Sequence, residues 1–116
     1  RQPIDGLVLS TSTRMAVVGY AKTLSSELAS YNITVNNVLP GSVLTDRLRS
    51  LHEAQAQAQG CDPQDIVKET THKIPMRRLG KPEEMGDLIS FLSSERASYI
   101  TGASIALDGG ALQATI

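Results

Sequence analysis

Aromatic residues are scarce: the 116-residue chain has no Trp, one Phe and three Tyr. A core must therefore be assembled from Leu, Ile, Val, Ala and Met. Cysteine is scarcer still. Cys61 stands alone, which excludes an internal disulfide and any paired-cysteine metal or redox motif. Beside Gly60, in a polar stretch, it reads as a bystander. The two histidines, His52 and His72, fall on polar stretches with no partner spacing, so no metal site is expected. No apolar run approaches the ~18 residues needed to span a bilayer. No signal peptide is legible, and a cytoplasmic location is the expectation. Neither sign of charge dominates. Net charge is −1, with Lys and Arg spread along the chain, which argues against an electrostatic footprint for nucleic acid or an anionic membrane. An initiating Met is also missing. Arg1-Gln-Pro-Ile-Asp-Gly reads as a loop, and the sequence reads as part of something longer.

What is present, 41% hydrophobic and 20% charged residues, suits a globular protein, and the length suits one domain rather than two. From Ser10 to Tyr31 the pattern is helical, with Val17, Val18, Ala21, Leu24 and Leu28 as its apolar stripe. Gly19 costs this helix about 1 kcal/mol against Ala, which close packing on a neighbour would explain. Asn32 is a plausible stop, since Asn tolerates the left-handed conformation. Ile33 to Leu39 reads as a strand that is apolar on both faces, as in a buried parallel sheet. Asn36 and Asn37 are anomalous there. A buried Asn needs hydrogen-bond partners, so one of them is expected to brace a neighbouring loop. Pro40-Gly41 ends the strand.

Leu48 to Gln59, with its alternating Ala and Gln, reads as an exposed, mobile helix. Asp62-Pro63-Gln64-Asp65 starts another, with Asp as the cap and Pro in the first turn, running to about His72. Ile74 to Lys81 reads as loop. Pro82-Glu83-Glu84 opens a helix with Met85, Leu88, Ile89 and Leu92 as its stripe. Ala103 to Leu107 reads as a short strand ended by Asp108-Gly109-Gly110. Strands alternating with helices predict an α/β fold with a parallel sheet. Two strands cannot close a stable open sheet. The chain is therefore expected to be a single incomplete α/β domain that needs a larger sheet or an oligomer.

Three segments, in order, carry a resemblance. They are Arg14-Met-Ala-Val-Val-Gly-Tyr-Ala-Lys-Thr-Leu-Ser-Ser-Glu-Leu-Ala, Asn32-Ile-Thr-Val-Asn-Asn-Val-Leu-Pro-Gly-Ser-Val-Leu-Thr, and Pro75-Met-Arg-Arg-Leu-Gly-Lys-Pro-Glu-Glu continuing to Tyr99-Ile-Thr-Gly and Asp108-Gly-Gly. From about Ser10 to Gly110 the chain resembles the C-terminal half of short-chain dehydrogenases/reductases, most of all the 3-oxoacyl-[acyl-carrier-protein] reductase-like members. The resemblance implies the C-terminal part of a Rossmann-type doubly wound parallel sheet.

It also implies a site. In the family a Tyr and a Lys four residues apart share a helix face, and the Lys charge lowers the Tyr pKa for acid–base work on the substrate oxygen. Aligned on Ala16-Val17-Val18-Gly19, the Tyr position holds Ser10 and the Lys position Arg14. No Tyr-x-x-x-Lys occurs: Tyr20 is followed four on by Leu24, Tyr31 by Val35 and Tyr99 by Ala103. Without the resemblance, Ser10 reads as a helix N-cap and Arg14 as a solvated charge. With it, Arg14 can hold ribose hydroxyls or a phosphate through its planar fork. Pro40, Gly41 and Val43 would lie against the nicotinamide and its carboxamide, and Thr45 would hydrogen-bond the pyrophosphate. The plain alternative is a strand-ending turn with Thr45 capping the next helix.

The family's G-x-x-x-G-x-G turn is absent, as is the residue that chooses between NAD and NADP. Gly109-Gly110 opens no helix. This chain alone is expected to bind NAD or NADP poorly or not at all. Two functions remain open: part of a nicotinamide-dependent reductase, inactive as this chain, or a non-catalytic self-associating module. In the latter, helix 10–31 and the C-terminal helix and strand would form a dimer or tetramer, without nucleic acid or membrane. Arg77 and Arg78 read as structural.

Overall fold

The computed structural model describes residues 8–114. Its order is helix α1 (Val8–Leu28), strand β1 (Asn37–Pro40), helices α2 (Asp46–Gln59), α3 (Pro63–His72) and α4 (Pro82–Leu92), and strand β2 (Ser104–Leu107). Single 3-10 turns follow α1 and α4. The succession of helices and strands is the one expected. The strands pair directly. Asn37 N–H donates to the Ala103 carbonyl, and four residues on along both strands Gly41 N–H donates to the Leu107 carbonyl, which makes the pair parallel. The length suits one domain. The described residues group into two compact units interleaved in sequence: 8–39, 87–106 and 112–114 form one, 40–86 and 107–111 the other.

In the first unit, α1 buries Ala21 and Ser25. It ends where expected, with Asn32 at φ 58° and its N–H bonded to the Ala29 carbonyl. Ser25 is off the expected stripe, and its burial has a distant cause. Gly102, at φ +69°, sits so close that a Cβ there would meet Ser25 Oγ at 2.6 Å. Lys22 Nζ donates to the Gly102 carbonyl at 3.1 Å. Conversely, Val17 of the expected stripe is 56% exposed, and a Cβ on Gly19 would meet nothing within 4 Å. The close packing expected at Gly19 does not occur among the described residues.

The strand expected from Ile33 begins only at Asn37. Before it, Val35 spends its backbone bonds on a turn: its N–H goes to Thr101 Oγ1 and its carbonyl takes Gly102 N–H. Asn36 is the bracing amide expected. Its Nδ2 donates to the Ile100 carbonyl at 2.8 Å, and its Oδ1 accepts Ala103 N–H at 3.1 Å. Thr34, Asn36 and Val38, alternate residues of this segment, line an open groove with Ile89 and Leu92 of α4 and Ser93 just after it.

In the second unit, α2 and α3 pack together. The reading of α2 as wholly exposed is corrected here: His52 and Ala56, one turn apart, are buried. α2 closes on Gly60 at φ 66°. Asp62 caps α3 by accepting Gln64 N–H at 2.7 Å, with Pro63 in the first turn, as expected. Ile66 and Ile74 complete the buried apolar set of this unit.

Candidate functional site

Ser10 and Arg14 are an i, i+4 pair on α1 and share a face. Ser10 is half-buried and Arg14 exposed, and neither side chain bonds another described residue. Ser10 is not an N-cap, because the helix is already formed at Val8. Tyr20, Tyr31 and Tyr99 are all exposed. Tyr20, ten residues past Ser10, is roughly 15 Å along the helix from it.

Pro40, Gly41, Val43 and Thr45 lie together in the second unit, where the chain turns from β1 into α2. Gly41 is there for a steric reason. A Cβ on it would fall 2.6 Å from Asp108 Cβ and 2.7 Å from Asp108 Cα, so no side chain fits without moving backbone. Val43 N–H donates to the Gly41 carbonyl at 3.1 Å, which tightens the turn. Val43 also forms an isolated parallel bridge with Gly80. In it Gly80 N–H donates to the Ser42 carbonyl at 2.9 Å, and Leu44 N–H donates to the Gly80 carbonyl at 2.8 Å. Thr45 Oγ1 accepts Leu48 N–H at 3.3 Å and so caps α2. Its hydroxyl hydrogen stays available for donation, because a hydroxyl both donates and accepts.

Asp108, behind Gly41, belongs to a turn of its own. Its Oδ1 accepts Gly110 N–H at 2.9 Å. Gly109 and Gly110 have φ of +65° and +86°. A Cβ on Gly109 would meet Ile74 Cγ2 at 2.7 Å, and one on Gly110 would meet Pro75 Cγ at 3.3 Å. Met76 N–H donates to the Gly109 carbonyl. This glycine pair is thus seated on protein and leaves no cradle for a phosphate.

A further support of the 40–45 loop, in the same unit, was not expected from the sequence. Arg78 forks onto Glu84: Nη2 to Oε1 at 2.6 Å and Nη1 to Oε2 at 2.9 Å. Glu84 Oε2 also accepts Lys81 N–H at 2.7 Å. The bond from Arg78, then that from the Lys81 amide, holds the Glu84 carboxyl down at about 2. The signal was legible: Lys81-Pro82-Glu83-Glu84 places an acid at the third helical position, where it can reach back to the cap N–H. Arg77, at φ 55°, turns the other way and bonds the Nδ1 and carbonyl of His72 at the end of α3.

No group of three or more metal-ligating side chains occurs among the described residues. No helix among them is long and apolar enough to cross a membrane.

Residues 3–111 match the sequence model of a family described as enoyl-(acyl carrier protein) reductase. The chain is 42% identical over 109 residues to a dehydrogenase/reductase SDR family member 4 of Oryctolagus cuniculus, covering 94% of this chain and 38% of that protein. It is 35% identical over 113 residues to the NADPH-dependent reductase BacG of Bacillus subtilis, covering 97% of this chain and 44% of the relative. In structure it is similar to a short chain dehydrogenase family protein from Francisella tularensis, with a TM-score of 0.90 and 32% identity, over 94% of this chain and 45% of that one. It thus spans less than half the length of each relative. With a family-model match over residues 3–111 and a shared fold, the chain belongs to the short-chain dehydrogenase/reductase family.

Proposed function

We propose that residues 40–45 are the nicotinamide-side loop of an NAD(P)-dependent short-chain oxidoreductase, and that the 116-residue chain alone performs no hydride transfer. The observation that carries the first half is the seat of Gly41 on Asp108, which fixes a side-chain-free turn of main chain. Such a turn lets a flat ring approach backbone closely. Pro40, Gly41 and Val43 would meet the ring and its carboxamide. Thr45 would donate its hydroxyl hydrogen to the pyrophosphate while its lone pair keeps the α2 cap. Arg14 would hold ribose hydroxyls or a phosphate. The bound nicotinamide would supply or receive the hydride. The NADPH named for the Bacillus relative fits this reading.

The second half follows from Ser10. A serine hydroxyl can hold a substrate oxygen, but it lacks the acidity of a phenol, whose pKa is about 10. Arg14 keeps its own proton. The chain also has no glycine-rich turn to grip a pyrophosphate.

Three measurements test this. Titrating the chain with NADH and NADPH, followed by fluorescence and Tm, should show no low-micromolar binding. Incubating it with either nucleotide and a carbonyl compound should leave the absorbance of the reduced nicotinamide unchanged; a loss of that absorbance catalysed by the chain would defeat the second half. A chimaera that joins the upstream half of the Bacillus reductase to this chain should bind NADPH, and Thr45→Val should weaken that binding several-fold. Unchanged affinity in the variant would defeat the first half.

Exposed apolar side chains favour a second reading. Met15, Val17 and Tyr20 on α1, and Ile89 and Phe91 on α4, lie open. They suit a self-associating, non-catalytic module built on α1 and on α4 with β2. Light scattering showing a dimer or tetramer, with no response to either nucleotide, would select it; a monomer would exclude it.

A further inference from the structure

Glu84 does two jobs with one carboxylate. It receives both prongs of the Arg78 guanidinium, and it receives the Lys81 amide at the start of α4. Residue 78 is thereby tied to the helix start, and Leu79-Gly80 becomes a short arc closed at both ends. Gly80 is where that arc meets the 42–44 loop, through one bond given and one received. A Cβ on Gly80 would lie 3.4 Å from Val43 Cγ2 and 3.9 Å from Glu84 Oε2, so the carboxylate, Gly80 and Val43 stand in sequence, each in reach of the next. Exposed ion pairs contribute little to global stability. A rigid two-pronged pair with an added main-chain bond has a different merit, which is fixed geometry.

We propose that the Arg78–Glu84 pair is a positioning device for residues 42–44, holding Gly80 at the height at which it bonds Ser42 and Leu44. Neither residue touches a cofactor. Both act through Gly80, and the functional meaning rests on reading 40–45 as the nicotinamide-side loop. The mechanical claim can be tested without nucleotide, so its failure and that of the cofactor reading are separable.

Amide hydrogen exchange on the full chain is the measurement. Arg78→Ala cuts the fork and leaves the Glu84–Lys81 bond in place. The Leu44 and Gly80 amides should then exchange about tenfold faster, while those of Ala56 and Thr70 in α2 and α3 keep their rates, because only a local opening has been eased. Arg78→Lys, with its charge but no fork, should fall between. Unchanged protection at Leu44 and Gly80, or an equal loss at Ala56 and Thr70, would overturn the proposal. Should Arg78→Ala fail to fold, Glu84→Gln carries the same expectation, since it is nearly isosteric and keeps an acceptor for Lys81. Global unfolding of both variants would also overturn it, because the pair would then hold the whole unit rather than one loop.

Discussion

The two compact units hold their turns by similar means, polar bonds and seated glycines, but differ in how much apolar surface they bury. The unit of 40–86 and 107–111 closes on itself. Glycines 41 and 109 are filled against by Asp108 and Ile74, α2 and α3 carry polar caps, and Ile66 is only 2% exposed. The unit of 8–39 and 87–106 also has well-made polar braces, at Asn36 and Lys22. Yet it buries no side chain larger than Ser25 or Ala97 and leaves Val17, Tyr20, Ile89 and Phe91 open. The difference shows that hydrogen-bonded turns can be complete where apolar burial is not. Among the described residues, the first unit leaves more large apolar side chains exposed than the second, where Leu51 and Met76 are the exposed ones.

That contrast can be broken most sharply at Ile66. Ile66→Ala should cost about 2–5 kcal/mol in urea unfolding, the usual range for truncating a buried aliphatic. Val17→Ala should change stability by no more than about 0.5 kcal/mol. Equal losses would erase the distinction. Gly41→Ala comes next. Its Cβ has backbone for a neighbour, and the forced shift should cost about 1–3 kcal/mol.

Gly19→Ala sharpens the comparison from the other side. The added methyl meets open space, so the helix should gain about 0.5–1 kcal/mol by the same unfolding measurement. If the change instead lowers the molecular mass seen by light scattering, the α1 face is the surface through which copies associate.

The smallest effect is electrostatic. Glu84 has a folded-state pKa of about 2, below its ordinary value of 4.5, so folding favours its charged form. The resulting stability is fully present above about 4.5 and is lost as pH falls toward 2. An NMR titration of the Glu84 carboxyl should show that low midpoint in the native chain and a higher one in Arg78→Ala, still below the ordinary value because the Lys81 amide remains bonded. A native midpoint near 4.5 would mean that the fork is not made in solution.

Much of this was legible from the sequence where causes are local. Asn32 as a stop, Asp62 with Pro63 as a start, and Pro40-Gly41 as a strand end depend on neighbours a few residues away, and the structure has them. Periodicity failed where the cause was remote. Ser25 is buried by Gly102, and the Asn37 start of β1 is set by what Val35 gives to residues 101 and 102. The alternating Ala and Gln of α2 hid the His52–Ala56 stripe, because α3 chooses which face is covered. At the candidate site, the loop residues 40–45 and the one-face pair Ser10 and Arg14 could be named in advance as candidates. Their supports could not: Asp108 behind Gly41 is a tertiary neighbour, and the helix-start pattern at Pro82-Glu83-Glu84 does not by itself tie Glu84 to Arg78.

The fit of Gly41 to Asp108 has a consequence for the order of events at the ribosome. Synthesis delivers the turn long before the residue it rests on. While α2, α3 and α4 emerge, Gly41 lacks the residue it packs on, and that one contact forms only after Asp108 clears the exit tunnel. A nascent chain stalled short of that point could form its helices and the bonds of Gly80 to the loop, yet Gly41 would still lack its neighbour; the residue just after β2 supplies the last contact of a turn made much earlier.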